Sequence, residues 1–246
     1  MAAIGGWGLD VSNHSGKFSV ATAQRMAAEG WTRGIVSTYD RDIARAQLQA
    51  FKGADMEIQA YVYLRAELDP AVQVTAAINK VLDLGITKLW LDCEGAPTDP
   101  IPNHWETFPS PAFIVDFIHR AADACTDKVY SGIYTSRAWW MKWTSDSVAF
   151  KEYPNWTATN DGLGDLSFNP YGGWTECEME QFGFDLKVAG VNTDWNAIAL
   201  APPPPAPPPP DPTPTPPAPD EVYMRGWKDH DTATRAALDS IREPWQ

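Results

Sequence analysis

The sequence predicts an α/β fold: a closed, TIM-like barrel of eight strands, followed by a Pro-rich linker and a short tail. Three observations predict it. From residue 6 to residue 143, strand-like and helix-like segments alternate, and such repeats force parallel strands that need cover on both faces. Beyond that point three strand-like segments are separated by loops alone, so the barrel lacks helices on its last side. A proline run at 201–219 then closes off one domain of 200 residues. No G-x-G-x-x-G follows the first strand, which weighs against a doubly wound open sheet.

Taken in order, "GWGLDVS" (6–12) reads as the first strand and "SVATAQRMAAEG" (19–30) as a helix that Gly30 closes. "RGIVSTY" (33–39) is the second strand, with its helix through "RDIARAQLQAFKGA" (41–54). "EIQAYVYLRA" (57–66) is the third strand. "DPAVQVTAAINKVLDLG" (69–85) is a helix with Pro70 at its start and Gly85 after its end. "TKLWLDCEG" (87–95) and "SPAFIVDFIHRAADACTD" (110–127) form the fourth pair; "KVYSGIYTS" (128–136) and a short helix over 137–143 form the fifth. "YPNWTATND" (153–161), "CEMEQFGF" (177–184) and "VNTDWNAIAL" (191–200) supply the last strands. The linker, "APPPPAPPPPDPTPTPPAP", cannot donate backbone hydrogen bonds and favours extended polyproline II, spanning on the order of 60 Å. Within the tail (220–246), "DTATRAALDSIRE" can form one helix with a narrow apolar face, a candidate docking peptide for a partner.

Composition narrows the function. A net charge of −13 argues against nucleic acid or anionic membranes as partners. No apolar run has membrane-spanning length, and the N-terminus "MAAIGGWGLD" lacks the basic and apolar regions of a signal peptide. Cys93, Cys125 and Cys177 are scattered, with no zinc spacing, and read as small core residues. Most of the 12 tryptophans are expected in the core, the rest being available to stack on sugars.

The chemistry concentrates in "ITKLWLDCEGAP". Side chains on a strand alternate between faces, so Trp90, Asp92 and Glu94 share one face while Leu89, Leu91 and Cys93 share the other. Two neighbouring carboxylates at a strand end are costly, because like charges push one pKa upward. General acid chemistry, metal binding and plain capping all remain open for such a pair. Active residues of these barrels sit at the C-terminal strand ends, where Asp10 on the first strand and Asp194 on the last join them. Strands one and eight are neighbours in a closed barrel, so Asp10 and Asp194 flank one mouth, facing Asp92 and Glu94.

The ordered motifs "GLDVSNHSGKFS", "LWLDCEG", "YSGIYTSRAWW", "NWTATND" and "MEQFGF…VAGVNTDWN" resemble those of family 25 glycoside hydrolases, over residues 5–200. The resemblance implies a flattened (β/α)5(β)3 barrel that hydrolyses the β-1,4 bond between N-acetylmuramic acid and N-acetylglucosamine in peptidoglycan. By the same resemblance Glu94 matches the general acid, Asp92 the partner that steadies the substrate's acetamido group, and Asp10 and Asp194 the remaining acids. No cofactor or metal is implied. Tyr61, Tyr63, Tyr134 and Trp156 are expected near the mouth as sugar platforms. The chain departs from the family's pattern at "STYDRDIAR", where Lys-Ala-[ST]-Glu-Gly is usual, at "YVYLRA", which lacks the usual His, and at "WTATN". The implied setting is a phage endolysin or virion-associated lysin, held in the host cytoplasm until release or carried on the particle. The alternative is a virion structural or wall-binding protein with a lysozyme-like barrel of little activity. The tail at 220–246 would then meet a virion or other protein partner.

Overall fold

Strand β1 (Ile4–Val11) pairs in parallel with β2 (Arg33–Ser37), and the series continues through β3 (Glu57–Tyr63), β4 (Lys88–Asp92), β5 (Tyr130–Thr135), β6 (Asn155–Ala158) and β7 (Met179–Val188). The last strand, β8 (Val191–Ala199), runs antiparallel to both β7 and β1 and closes the barrel. This computed structural model describes residues 3–95, 103–125 and 128–200; the expected linker and tail lie outside the described residues. Helices α1 (Val20–Ala28), α2 (Arg41–Lys52), α3 (Pro70–Val81), α4 (Pro111–Asp123) and α5 (Arg137–Thr144) each follow one of the first five strands. The predicted alternation of five strand–helix units and three bare strands is therefore the architecture observed.

Local chemistry starts the helices where the sequence expects them. Asp40 accepts hydrogen bonds from the backbone N–H groups of Asp42 and Ile43 at 2.9 Å each, satisfying donors that the first turn of α2 leaves free. Asp69 does the same for Val72 at 3.0 Å, with Pro70 as the first residue of α3. Ser19 and Ser136 cap α1 and α5.

Packing falls into two shells. Leu9, Val36, Leu48, Phe51, Ile78 and Ile118 lie between the strands and the helices. Inside the barrel, Ile35, Trp90, Tyr134, Trp156, Met179 and Ile198 fill the space from the opposite faces of the same strands. Trp90 fits only because β5 carries Gly132 opposite it, where a Cβ would come within 2.4 Å of the indole. A buried indole removes on the order of 200 Å² from water, roughly 5 kcal/mol before ordering costs. On the wall without helices, Phe182 packs between Trp7 (ring centroids 5.8 Å apart) and Trp195 (6.2 Å), while Trp31 covers Trp195 at 5.3 Å. At the N-terminal end of the strands, Arg33 pairs with Glu57 at 2.7 Å and Lys88 with Glu178, so these cations lie away from the mouth.

Three expectations need correction. The third and fourth strands stop at Tyr63 and Asp92, not at 66 and 95. Beyond them a side chain takes over the backbone: Asn103 accepts from Ala66 N–H and donates to the carbonyls of Leu64 and Glu94. The last strand is not parallel. Val188 and Val191 flank a two-residue turn, Ala189–Gly190, with φ of 49° and 86°, a left-handed pair suited to a tight hairpin. Asp194 therefore lies near the start of its strand, and it reaches the mouth because that strand runs backwards.

Candidate active site

Asp10 and Asp194 are direct cross-strand partners on β1 and β8, and Asp92 ends β4. Asp10 and Asp92 are buried, at 5% and 3% exposure, while Glu94, two residues past Asp92, is half-buried. The shared-face expectation holds for Trp90 and Asp92, which point into the barrel, whereas Leu89, Leu91 and Cys93 join the outer shell. Glu94 has left the sheet, yet its charge acts on Asp10, Asp92, Tyr61 and Tyr134 alike. The four predicted acids are thus brought to one mouth.

Their environments differ. Asp10 Oδ2 accepts from Asn196 Nδ2 at 2.8 Å and from Gln181 Nε2 at 3.0 Å. Burial, reinforced by the charge of Asp194, still pushes its pKa up to about 8. Asp92 is raised well above the carboxylate range by burial and by the charges of Glu94 and Asp10, and its Oδ1 has no hydrogen-bond partner among the described residues. Asp194 accepts from the backbone N–H of Asp185 at 2.7 Å and from Gln181 at 3.4 Å, and burial raises it too. A pocket of this kind keeps some carboxyls protonated while others are charged, which supplies a proton donor and a negative field from one residue type.

Gln181 and Asn196 were quoted within motifs but given no role from sequence. Each is oriented by an aromatic donor. Tyr134 Oη donates to Gln181 Oε1 at 2.6 Å, so the amide N–H₂ of Gln181 must face Asp10 and Asp194. Trp156 Nε1 donates to Asn196 Oδ1 at 2.7 Å and turns the other amide the same way. This pairing also corrects the expectation for Tyr134 and Trp156. At 6% and 2% exposure they form an aromatic floor with Trp90, with centroids 4.5 Å apart between Tyr134 and Trp156 and 5.5 Å between Trp90 and Trp156. They lie inside because barrel strands direct alternate residues inward, whatever their capacity to stack on a sugar. Tyr61 and Tyr63 are half-buried near the end of β3, and Tyr61 packs on the aromatic floor with its ring centroid 6.3 Å from that of Trp156. Tyr39, 55% exposed just past the end of β2, is a rim aromatic that sequence reasoning passed over because it sits inside a departure from the family pattern. Its backbone is fixed: Lys80 Nζ donates to the carbonyls of Thr38 and Tyr39 at 2.8 and 2.9 Å. Among the described residues, no group of three or more His, Cys, Asp or Glu is arranged to hold a metal ion, and no helix is long and apolar enough to cross a membrane.

Comparison with known proteins agrees with this geometry. A family model described as lysozyme-like protein 1 matches residues 4–182. "Probable GH family 25 lysozyme 5" of Dictyostelium discoideum is 26% identical over 199 residues, covering 77% of this chain and 88% of that protein. "Counting factor 50" of the same organism is 24% identical over 187 residues, covering 70% of this chain; the chain spans 56% of that relative's length. The solved muramidase from Trichobolus zukalii superposes with a TM-score of 0.66 at 19% identity, over 81% of this chain and 95% of the other, a likeness of fold.

Proposed function

The chain belongs to the lysozyme-like proteins of glycoside hydrolase family 25, and on that premise we propose that it is a muramidase, cutting the β-1,4 bond between N-acetylmuramic acid and N-acetylglucosamine in peptidoglycan. One observation carries the reading: four carboxyls meet at one barrel mouth in unequal environments, with a buried oxygen of Asp92 unpartnered among the described residues.

In this reading Glu94 is the general acid. Its proton passes to the departing O4 as the C1–O4 bond breaks, while the substrate's acetamido oxygen bonds to C1. Asp92 Oδ1 accepts the acetamido N–H, which makes that oxygen a better nucleophile. A water deprotonated by Glu94 then adds to C1 as the bond between C1 and the acetamido oxygen breaks, which restores the acetamido group and returns the proton to Glu94. Asp10, with a pKa of about 8, keeps its proton near neutrality, so that of this cross-strand pair Asp194 carries the charge that faces the oxocarbenium-like transition state. Tyr61 and Tyr63 are proposed contacts for the sugar rings.

We extend the proposal to the setting the sequence suggested, a phage-type lysin with a 201–219 spacer and a 220–246 tail that tethers the barrel to a partner. The catalytic proposal is tested by turbidity clearing of purified peptidoglycan, with mass analysis of the products. Fragments ending in reducing N-acetylmuramic acid are expected. Intact walls, or fragments ending in reducing N-acetylglucosamine, would refute it. The setting is tested separately, by mass spectrometry of purified particles and of lysates for the intact chain.

A further inference from the structure

Glu94 lies outside the sheet, so something other than strand pairing must hold it. Cys93, the residue before, is still gripped by β5: its N–H donates to Tyr134 O at 2.9 Å and its carbonyl accepts from Thr135 Oγ1 at 2.8 Å. At Glu94 that support ends. Its carbonyl instead accepts from Trp105 Nε1 at 2.8 Å and from Asn103 Nδ2 at 3.4 Å, both on the segment that leads into α4. Gly95 then turns away at φ 93°, a left-handed conformation, and passes so close to Tyr63 that a Cβ there would lie 2.3 Å from the phenol oxygen.

Both donors are completely buried. Asn103 also ties the ends of β3 and β4 together, through Leu64 and Ala66. Trp105 is wedged among Phe108, Phe117 of α4 and Trp139 of α5, with ring centroids 6.1, 5.6 and 5.0 Å away. The backbone carbonyl of Glu94 is therefore fastened through Trp105 to the helical layer and through Asn103 to the chain just beyond β3.

We propose that Trp105 and Asn103 are positioning residues for Glu94, setting where its carboxyl meets the glycosidic oxygen; this rests on the reading of Glu94 as the general acid. Neither residue touches substrate. The geometry they enforce matters because displacements of about 1 Å can cost on the order of 100-fold in rate.

The test is a double-mutant cycle on peptidoglycan. Trp105→Phe keeps the ring among Phe108, Phe117 and Trp139 but removes the N–H. It is expected to lower kcat roughly tenfold at unchanged KM. On a Glu94→Gln background the same substitution should cost nothing further, because the residue acts through the acid. Asn103→Leu, with a similar branching pattern and without a donor, should behave in the same way and serves if Trp105→Phe misfolds. Wild-type kcat in both variants, or a tenfold loss that persists on the Glu94→Gln background, overturns the proposal. Full activity of Glu94→Gln alone would instead overturn the assignment of the acid.

Discussion

Replacing Asp10 by Asn should stabilise the protein while impairing it. The folded state raises this carboxyl from 3.8 to about 8. Between those values the folded protein holds a proton that the unfolded chain releases. The full stability is present below about pH 4 and is lost progressively as pH rises towards 8. At pH 7 the gap from 3.8 is about three pH units, a ceiling of about 4 kcal/mol at 1.36 kcal/mol each. Two features reduce it. Asp10 shares its titration with Asp194, and the new amide must present its oxygen to both Asn196 and Gln181. About 2 kcal/mol should remain, raising the melting temperature by about 4–8 °C for a chain of this size. The assay is a set of thermal melts of both proteins from pH 4 to pH 8, alongside peptidoglycan clearing. The expected pattern is equal melting near pH 4, a gap that widens with pH, and loss of clearing. A variant that melts at or below wild type at pH 7, or a gap independent of pH, would refute the reasoning.

Glu94→Gln should fold normally and lose about 10²–10⁴-fold in hydrolysis, read by turbidity clearing, because the amide cannot deliver a proton. Asp92→Asn should be severely impaired on N-acetylated glycans, and wild type should leave cellooligosaccharides intact, since they lack the acetamido group that Asp92 is proposed to hold; release of cellobiose would contradict the substrate-assisted route. Removing residues 201–246 should leave the melting temperature and the activity on soluble glycan fragments nearly unchanged while abolishing co-purification with any partner; a large fall in melting temperature would show that the tether idea is wrong.

The barrel was legible because period and punctuation act locally. Asp40, Asp69, Pro70 and Gly85 mark helix ends through contacts a few residues away, and Leu89, Leu91 and Cys93 separate from Trp90 and Asp92 by alternation alone. Asp10 and Asp92 were legible for the same reason, since they lie at the C-terminal ends of parallel strands. What escaped depends on distant partners. Nothing near Trp156 announces that its N–H meets Asn196, 40 residues on. The reversal of β8 depends on a two-residue turn, Ala189–Gly190, of which only Gly190 is a turn former by residue type. Where β4 ends is decided by Asn103 and Trp105, about ten residues further along the chain, so the sequence alone places Glu94 on the strand.

The pairing of β1 with β8 joins residues almost 200 positions apart, and this dictates the order of assembly. A chain leaving the ribosome at about 5–20 residues per second exposes an open edge on its first strand for on the order of ten seconds or more before its last strand exists. Such long-range closure makes for high contact order and slow folding. During that interval the unpaired edge can recruit strands from other chains. Asp10 faces Asp194 only at the final closure, so their mutual repulsion falls on the last folding step and does not burden the earlier ones. Joining β8 to β1 and opening the chain elsewhere would move the closing seam to another strand pair, so that Asp10 would meet Asp194 before the final closure.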